Sequence, residues 1–218
     1  GADNEILWVG TYTAPREIFN RDILNTNGDV LDLWTDAYEV INSCNNVINA
    51  LDVVVAADQN RVRGEALALR AWAHFELTRM FGQQYEAGID NTQLAVPLIL
   101  IPTLAFGDNV DVTRNTVEEC YNQVITDLTE AESLLPESND VFINKYTAAA
   151  LLARVYLQKA DYAAARDAAN RVIASGDYEL NNTYAECFAQ DDPTDEDIFS
   201  AENSELDNSN VMVTYFAI

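Results

Sequence analysis

The segment from Tyr146 to Glu179 reads YTAAALLARVYLQKADYAAARDAANRVIASGDYE, and it decides the fold. Its apolar and alanine positions recur at three and four residues, the period of a helix with one buried face. The pattern breaks at Ala160-Asp161 and resumes at Tyr162, so helices are predicted over about 145–159 and 162–175, with Gly176 stopping the second. Ala153 and Ala165 stand where two antiparallel rods must approach closely, which a methyl side chain allows. Tyr156 fills the space beside them, and Tyr162 is expected to pack the corner. A helix-turn-helix unit of about 34 residues cannot bury its apolar face alone, so it stacks on neighbours.

Working outward, Thr116 and Glu119 form a capping box that opens a helix through Val117, Tyr121, Ile125, Leu128 and Leu135, and Pro136 ends it. Another helix is predicted over about 59–81, through Ala66, Leu69, Ala73, Leu77 and Met80, with Gly82 as its stop. A third runs over about 29–51, through Leu31, Trp34, Tyr38, Ile41, Asn45, Ile48 and Leu51. Its amides at Asn42, Asn45, Asn46 and Asn49 are mediocre helix formers, expected to hydrogen-bond across a helix pair. Ala131 and Pro136 have the spacing of the repeat's closing alanine and proline, so 59–81 and 117–135 read as one unit split by an insertion. Trp34, Ala37 and Tyr38 echo the start of another.

The fold class is therefore mostly α: a tetratricopeptide-like α-α superhelix with long irregular loops and a short irregular C-terminal segment. A single domain is expected, with 1–28 as a loop segment, 29–180 as helical repeats and 181–218 as an acidic irregular tail. Ile198-Phe199 and Val211–Ile218 read as strand fragments of that tail. Gln83 to Arg114 loses the helical period and carries Gly88, Pro97, Pro102 and Gly107. Connections this long inside a compact domain are functional or disordered more often than not.

The 218 residues hold 36 acidic and 12 basic side chains, a formal net charge of -24. Such a field repels a polyanion, which excludes nucleic acid as a partner. The excess carboxylate suits a solvated surface, a source in salty water, or divalent cation binding. Cys44, Cys120 and Cys187 are far apart and His74 is the single histidine, so no zinc, haem or iron–sulfur site and no cofactor is expected. Cys44 and Cys120 fall in apolar helical stripes, where a thiol behaves as a small hydrophobe. No run of 18 uncharged apolar residues is present. Gly1-Ala2-Asp3 is expected to be a trimmed start, with targeting information cut away.

Trp34-x3-Tyr38-x2-Ile41 leading to Asn45, then Arg63-Gly64-Glu65-Ala66, Leu69-Arg70-Ala71 and Phe81-Gly82, resemble the SusD/RagB family of outer-membrane nutrient-binding lipoproteins. The resemblance continues through Val96-Pro97-Leu98, Arg114-x-Thr116-Val117-x2-Cys120-Tyr121, Asp127-Leu128-x2-Ala131 and Leu134-Leu135-Pro136. It closes with Val172-Ile173-x2-Gly176-x-Tyr178-x-Leu180 and Asp197-Ile198-Phe199-Ser200. It implies a protein of Bacteroidetes held at the cell surface by a lipidated cysteine, which this chain lacks. It further implies a SusC-like TonB-dependent transporter as partner, an oligosaccharide or peptide as ligand, polysaccharide utilisation as the setting, and no catalytic residue. The chain is expected to be the N-terminal portion, without the family's C-terminal half.

Sugar recognition needs an aromatic ring against the apolar sugar face and amides, carboxylates or arginine to read hydroxyls. In the family-like layout the ligand-binding candidates are Trp8, Tyr12, Arg16 and Asn20 before the first helix, with Tyr85 in the long connection. Trp8 and Tyr85 have core packing as the competing reading. Trp34 and Trp72 are expected in the core, Glu65 and Arg70 as a structural ion pair or capping contacts, and His74 as a partly buried helix residue. The run Asp191-Asp192-Pro193-Thr194-Asp195-Glu196-Asp197 lacks the glycine and spacing of a calcium loop and reads as a solvated acidic turn. No phosphate-cradling glycine loop, nucleophile elbow or HExxH helix occurs. The alternative to glycan binding is a repeat adaptor that binds only protein partners.

Overall fold

The structure, a computed structural model, describes residues 9–105, 112–187 and 193–200. Six α-helices are present among the described residues: α1 (Thr13–Asn20), α2 (Gly28–Asn49), α3 (Gln59–Phe81), α4 (Val117–Leu134), α5 (Lys145–Gln158) and α6 (Tyr162–Ile173). Short 3-10 turns follow at Leu51–Val53 and Tyr184–Cys187. The backbone divides into two compact units, the first described over residues 9–36 and the second Ala37–Ser200, with the boundary inside α2.

In the first unit, the segment expected as loop holds α1. Its ends define it. Pro15 lies in the first turn, where a missing N–H is tolerated. At the other end Arg21 turns left-handed (φ 58°), while Arg21 N donates to Ile18 O at 3.1 Å and Asp22 N to Glu17 O at 3.0 Å. That is a Schellman closure with arginine at the position glycine prefers. Buried Asn27 then joins α1 to α2: its Nδ2 donates to Ala14 O and Glu17 Oε2, and its Oδ1 accepts from Val30 N at 3.2 Å.

The second unit carries the repeats. Helices α3, α4, α5 and α6 pack in succession, each on the next, as a tetratricopeptide-like stack requires. The capping box predicted at Thr116 is present: Glu119 N donates to Thr116 Oγ1 and Thr116 N to Glu119 Oε2. Ala165 and Ala168 of α6 are buried where it packs on α5, and Tyr156 of α5 is half-buried. Helix α2 meets α3 through Asn45, which accepts from Arg70.

Gly64 explains the closeness of α3 to the end of α4. A Cβ there would lie 2.8 Å from Leu135 Cγ and 3.3 Å from Leu134 Cβ, so only hydrogen fits. Glu65 and Arg70 do not pair with each other, contrary to expectation. Glu65 accepts from Arg61 and Asn139, whereas Arg70 reaches into the core. Its guanidinium forms a bidentate pair with Asp127 of α4, both contacts 2.8 Å, and donates to Asn45 Oδ1 of α2 at 2.9 Å. Asn45 in turn donates to the carbonyls of Ile99 and Ile101. The predicted amide bond across a helix pair therefore exists, and it also captures the long connection.

Other expectations shift in degree. Trp34 and Trp72 are half-buried rather than core, and Trp72 meets Phe199 edge-on with centroids 6.0 Å apart. Ile198 is no strand: its carbonyl accepts from Thr147 Oγ1, and its side chain packs on the Tyr146–Ala149–Val172 cluster. The second fragment, 211–218, lies outside the described residues. His74 is fully buried, with neither ring nitrogen hydrogen-bonded among the described residues. Burial and the neighbouring Arg70 charge push its pKa down to about 3.

Two outcomes follow. Gly64→Ala adds helix propensity of about 1 kcal/mol but overpacks against Leu135, so urea unfolding should show a net loss of roughly 1–2 kcal/mol. For His74, the unfolded state gains a proton below about pH 6.5 and the folded state resists down to about pH 3. Stability should fall by about 1.4 kcal/mol per pH unit across that window, near 2 kcal/mol between pH 7 and 5. His74→Leu should lack this component when the two proteins are unfolded in parallel at both pH values.

Candidate functional site

A glycine ends α3, though not for the reason the sequence suggested. Gly82 is extended (φ -97°) rather than left-handed. A Cβ there would meet Thr78 O at 2.6 Å and Ala95 Cβ at 3.0 Å, so the residue is required for space. The chain leaves the helix hard against Ala95, which brings Gln83, Gln84 and Tyr85 to Tyr121 of α4. The Tyr85 and Tyr121 rings are tilted at 56° with centroids 5.0 Å apart.

The connection beyond this point is ordered by named bonds. Buried Asn91 donates to the carbonyls of Glu86 and Ile89 and accepts from Glu86 N, folding 86–91 into a closed turn. Ala95 N and Asn115 O, then Asn115 N and Val96 O, stitch the two ends of the insertion together at 2.7 and 3.0 Å. Tyr38 donates to Pro97 O, and Asn42 accepts from Thr103 N.

Where α3 and α5 end, these elements enclose a cleft of about 650 Å³. Its walls include Arg79, Met80, Gln83, Gln84, Tyr85 and Tyr121, facing Leu157, Gln158 and Tyr162. The volume lies within the range of small-molecule sites, roughly 300–1,000 Å³. A charged cluster braces one wall. Tyr85 OH donates to Glu118 Oε2 at 2.7 Å, and Lys159 Nζ donates to Glu118 Oε1 at 2.7 Å and Asn122 Oδ1 at 2.8 Å. Lys159 also sits 5.4 Å from the Tyr85 centroid. Partial burial opposes ionisation of Glu118, but the hydrogen bonds from Lys159 and Tyr85 outweigh it and hold its carboxyl below the usual range. Burial, reinforced by the bond to Glu118, pushes the Tyr85 phenol up to about 12. Tyr121 OH donates to Gln158 Oε1 at 3.0 Å and fixes that amide at the rim.

The sequence-derived candidates fall in two places. Tyr12, Arg16 and Asn20 stand four residues apart on the exposed side of α1, so one helix stripe gathers side chains expected on a loop. Tyr85 belongs to the second unit and lines the cleft. Trp8 lies outside the described residues. Sequence reasoning missed Tyr162. Instead of packing the corner, it is 68% exposed and lines the cleft. The signal was its place at the first helical position after Asp161, which caps α6 by accepting from Ala164 N and aims the ring outward.

Residues 9–157 match the SusD-like family described as "Starch-binding associating with outer membrane". The chain belongs to the SusD-like family. Among its relatives, SusD-like protein P38 of Formosa agariphila is 27% identical over 180 residues, covering 82% of this chain and 33% of the relative. A SusD superfamily crystal structure from Bacteroides thetaiotaomicron superposes with a TM-score of 0.71 at 32% identity, over 80% of this chain and 39% of that one. A laminarin-binding SusD-like protein superposes with a TM-score of 0.61 at 28% identity, over 71% and 33%. This chain spans about a third of the length of the curated SusD-like relatives it matches.

The braced wall is testable without a ligand. The Glu118–Lys159 pair is partly exposed, so a double-mutant cycle with Glu118→Gln and Lys159→Met should give a coupling of about 0.5–1 kcal/mol. Because the folded Glu118 pKa is depressed, this coupling is present above the unfolded value. It should fade as pH drops through the folded one, as chemical denaturation at successive pH values would read.

Proposed function

We propose that this chain is the helical-repeat portion of a non-catalytic glycan-binding protein of the outer-membrane surface. In this role it captures oligosaccharides for import through a SusC-like TonB-dependent transporter. Membership of the SusD-like family carries the reading, since the matched family is described as starch-binding and associating with the outer membrane. The laminarin-binding relative supports the choice of a carbohydrate ligand. The helical stack is the scaffold and the transporter-facing part, and a lipid anchor holds the protein to the membrane. Tyr12, Arg16 and Asn20 offer one exposed polar and aromatic stripe, and Tyr85 contributes a wall of the cleft. The carboxylates near these groups serve hydrogen bonding and solubility rather than glycoside cleavage.

Isothermal titration of the chain against neutral oligosaccharides of α-glucan, β-glucan and xyloglucan type should give heat with at least one. Reducing-end analysis after prolonged incubation should give no new ends. Absence of heat across the panel, with tight binding of a peptide or protein instead, would favour the adaptor reading; release of reducing ends would overturn the non-catalytic one.

A further inference from the structure

We propose that the cleft at the ends of α3 and α5 is a carbohydrate subsite of its own, with Tyr162 as its stacking platform and uncharged pyranose chains as its ligands. This rests on the glycan-binding reading above and adds a site within the helical repeats.

Three apolar side chains, Met80 (56% exposed), Leu157 (58%) and Tyr162 (68%), line this one concavity. These three share a concavity whose lining is otherwise mainly polar. Around them stand uncharged hydrogen-bonding groups. The side-chain amides of Gln83 and Gln84 make no hydrogen bond among the described residues, although the Gln84 carbonyl accepts from Gln93. The Gln158 amide is turned by Tyr121 so that its oxygen is engaged and its NH2 group remains available. An exposed tyrosine ring among side-chain amides in a largely polar concavity matches a pyranose, which presents C–H groups on a face and hydroxyls around its edge.

Tyr85, the aromatic that the sequence singled out, is less suited to stack. Its hydroxyl is committed to Glu118, Tyr121 crowds its ring, and Lys159 lies over it. It acts as a positioning residue that holds the wall, which leaves Tyr162 as the accessible ring.

Charge sets the ligand class. Arg79, the cation lining the cleft, is bound to Glu76 at 2.6 Å and lies 5.4 Å from the Phe75 ring centroid. Lys159 behind the wall is held by Glu118 and Asn122. Both cations already carry a carboxylate partner, and the net charge of -24 further disfavours a uronate or sulfate.

The test is a titration of the 15N-labelled chain with the neutral oligosaccharides above and, separately, with an oligo-uronate, alongside isothermal titration of variants. Neutral ligand should shift the amide resonances of Gln83, Gln84, Gln158 and Tyr162, and oligo-uronate should leave them in place. Tyr162→Ala should weaken neutral-ligand binding about 5- to 10-fold, and Tyr162→Phe should stay within about twofold, because the ring rather than the hydroxyl supplies the contact. Tyr162 is exposed, so both variants should retain the wild-type circular dichroism. Glycan binding with shifts confined to other residues would overturn the cleft and leave the glycan reading standing. Equal response to the oligo-uronate would overturn the ligand class. No heat and no shift with any glycan would overturn both readings together.

Discussion

The second unit is organised around one buried guanidinium. Arg70 is 6% exposed and Asp127 2%, and their paired contacts, with Asn45 on the remaining nitrogen, tie α2, α3 and α4 to a common point. Gln123 adds a further donor to Asp127, so the carboxylate is hydrogen-bonded from two helices. Charges removed from water in this way hold only when both partners are present, and removing one leaves an uncompensated charge worth about 3–5 kcal/mol. The helices around the pair consequently have one workable register. Gly64 lets α3 reach it, by allowing Leu134 and Leu135 against the helix backbone.

Much of this architecture was legible in the sequence because helices announce themselves by period and by ends. The bounds of α3 were read correctly from the spacing of its apolar residues and from Gly82. Thr116 and Glu119 marked the start of α4 by a reciprocal pair of bonds that three-residue spacing makes visible. Helix α1 was missed because its closure uses Arg21 where glycine is the usual signal. The partner of Arg70 was equally hidden. Asp127 lies 57 positions away, and no local rule says which of many carboxylates a buried arginine will choose.

The candidate site was read only in part for the same reason. Tyr85 was singled out because it stands in a long aperiodic connection, and it lines the cleft. Tyr162 was placed in the corner because aromatic residues after a turn commonly pack there. Its exposure comes from tertiary placement. Ala160 adopts a left-handed conformation (φ 59°), Asp161 caps the next helix, and the ring emerges beside the ends of α3 and α5. Tyr12, Arg16 and Asn20 were named from a family layout, and their four-residue spacing acquired meaning once α1 was seen.

The insertion between α3 and α4 carries a further implication. Its carbonyls at Pro97, Ile99 and Ile101 are grasped by Tyr38 and Asn45, and Ala95 and Val96 are fully buried beneath it. A segment fastened in this way cannot swing as a flap, because opening it would strand the arginine core that shares the same amide. The amide protons of Ala95 and Leu98, both bonded to Asn115, therefore exchange with solvent only when the two ends of the insertion part. Any ligand of this surface would meet walls already in place, with little affinity lost to freezing mobile chain.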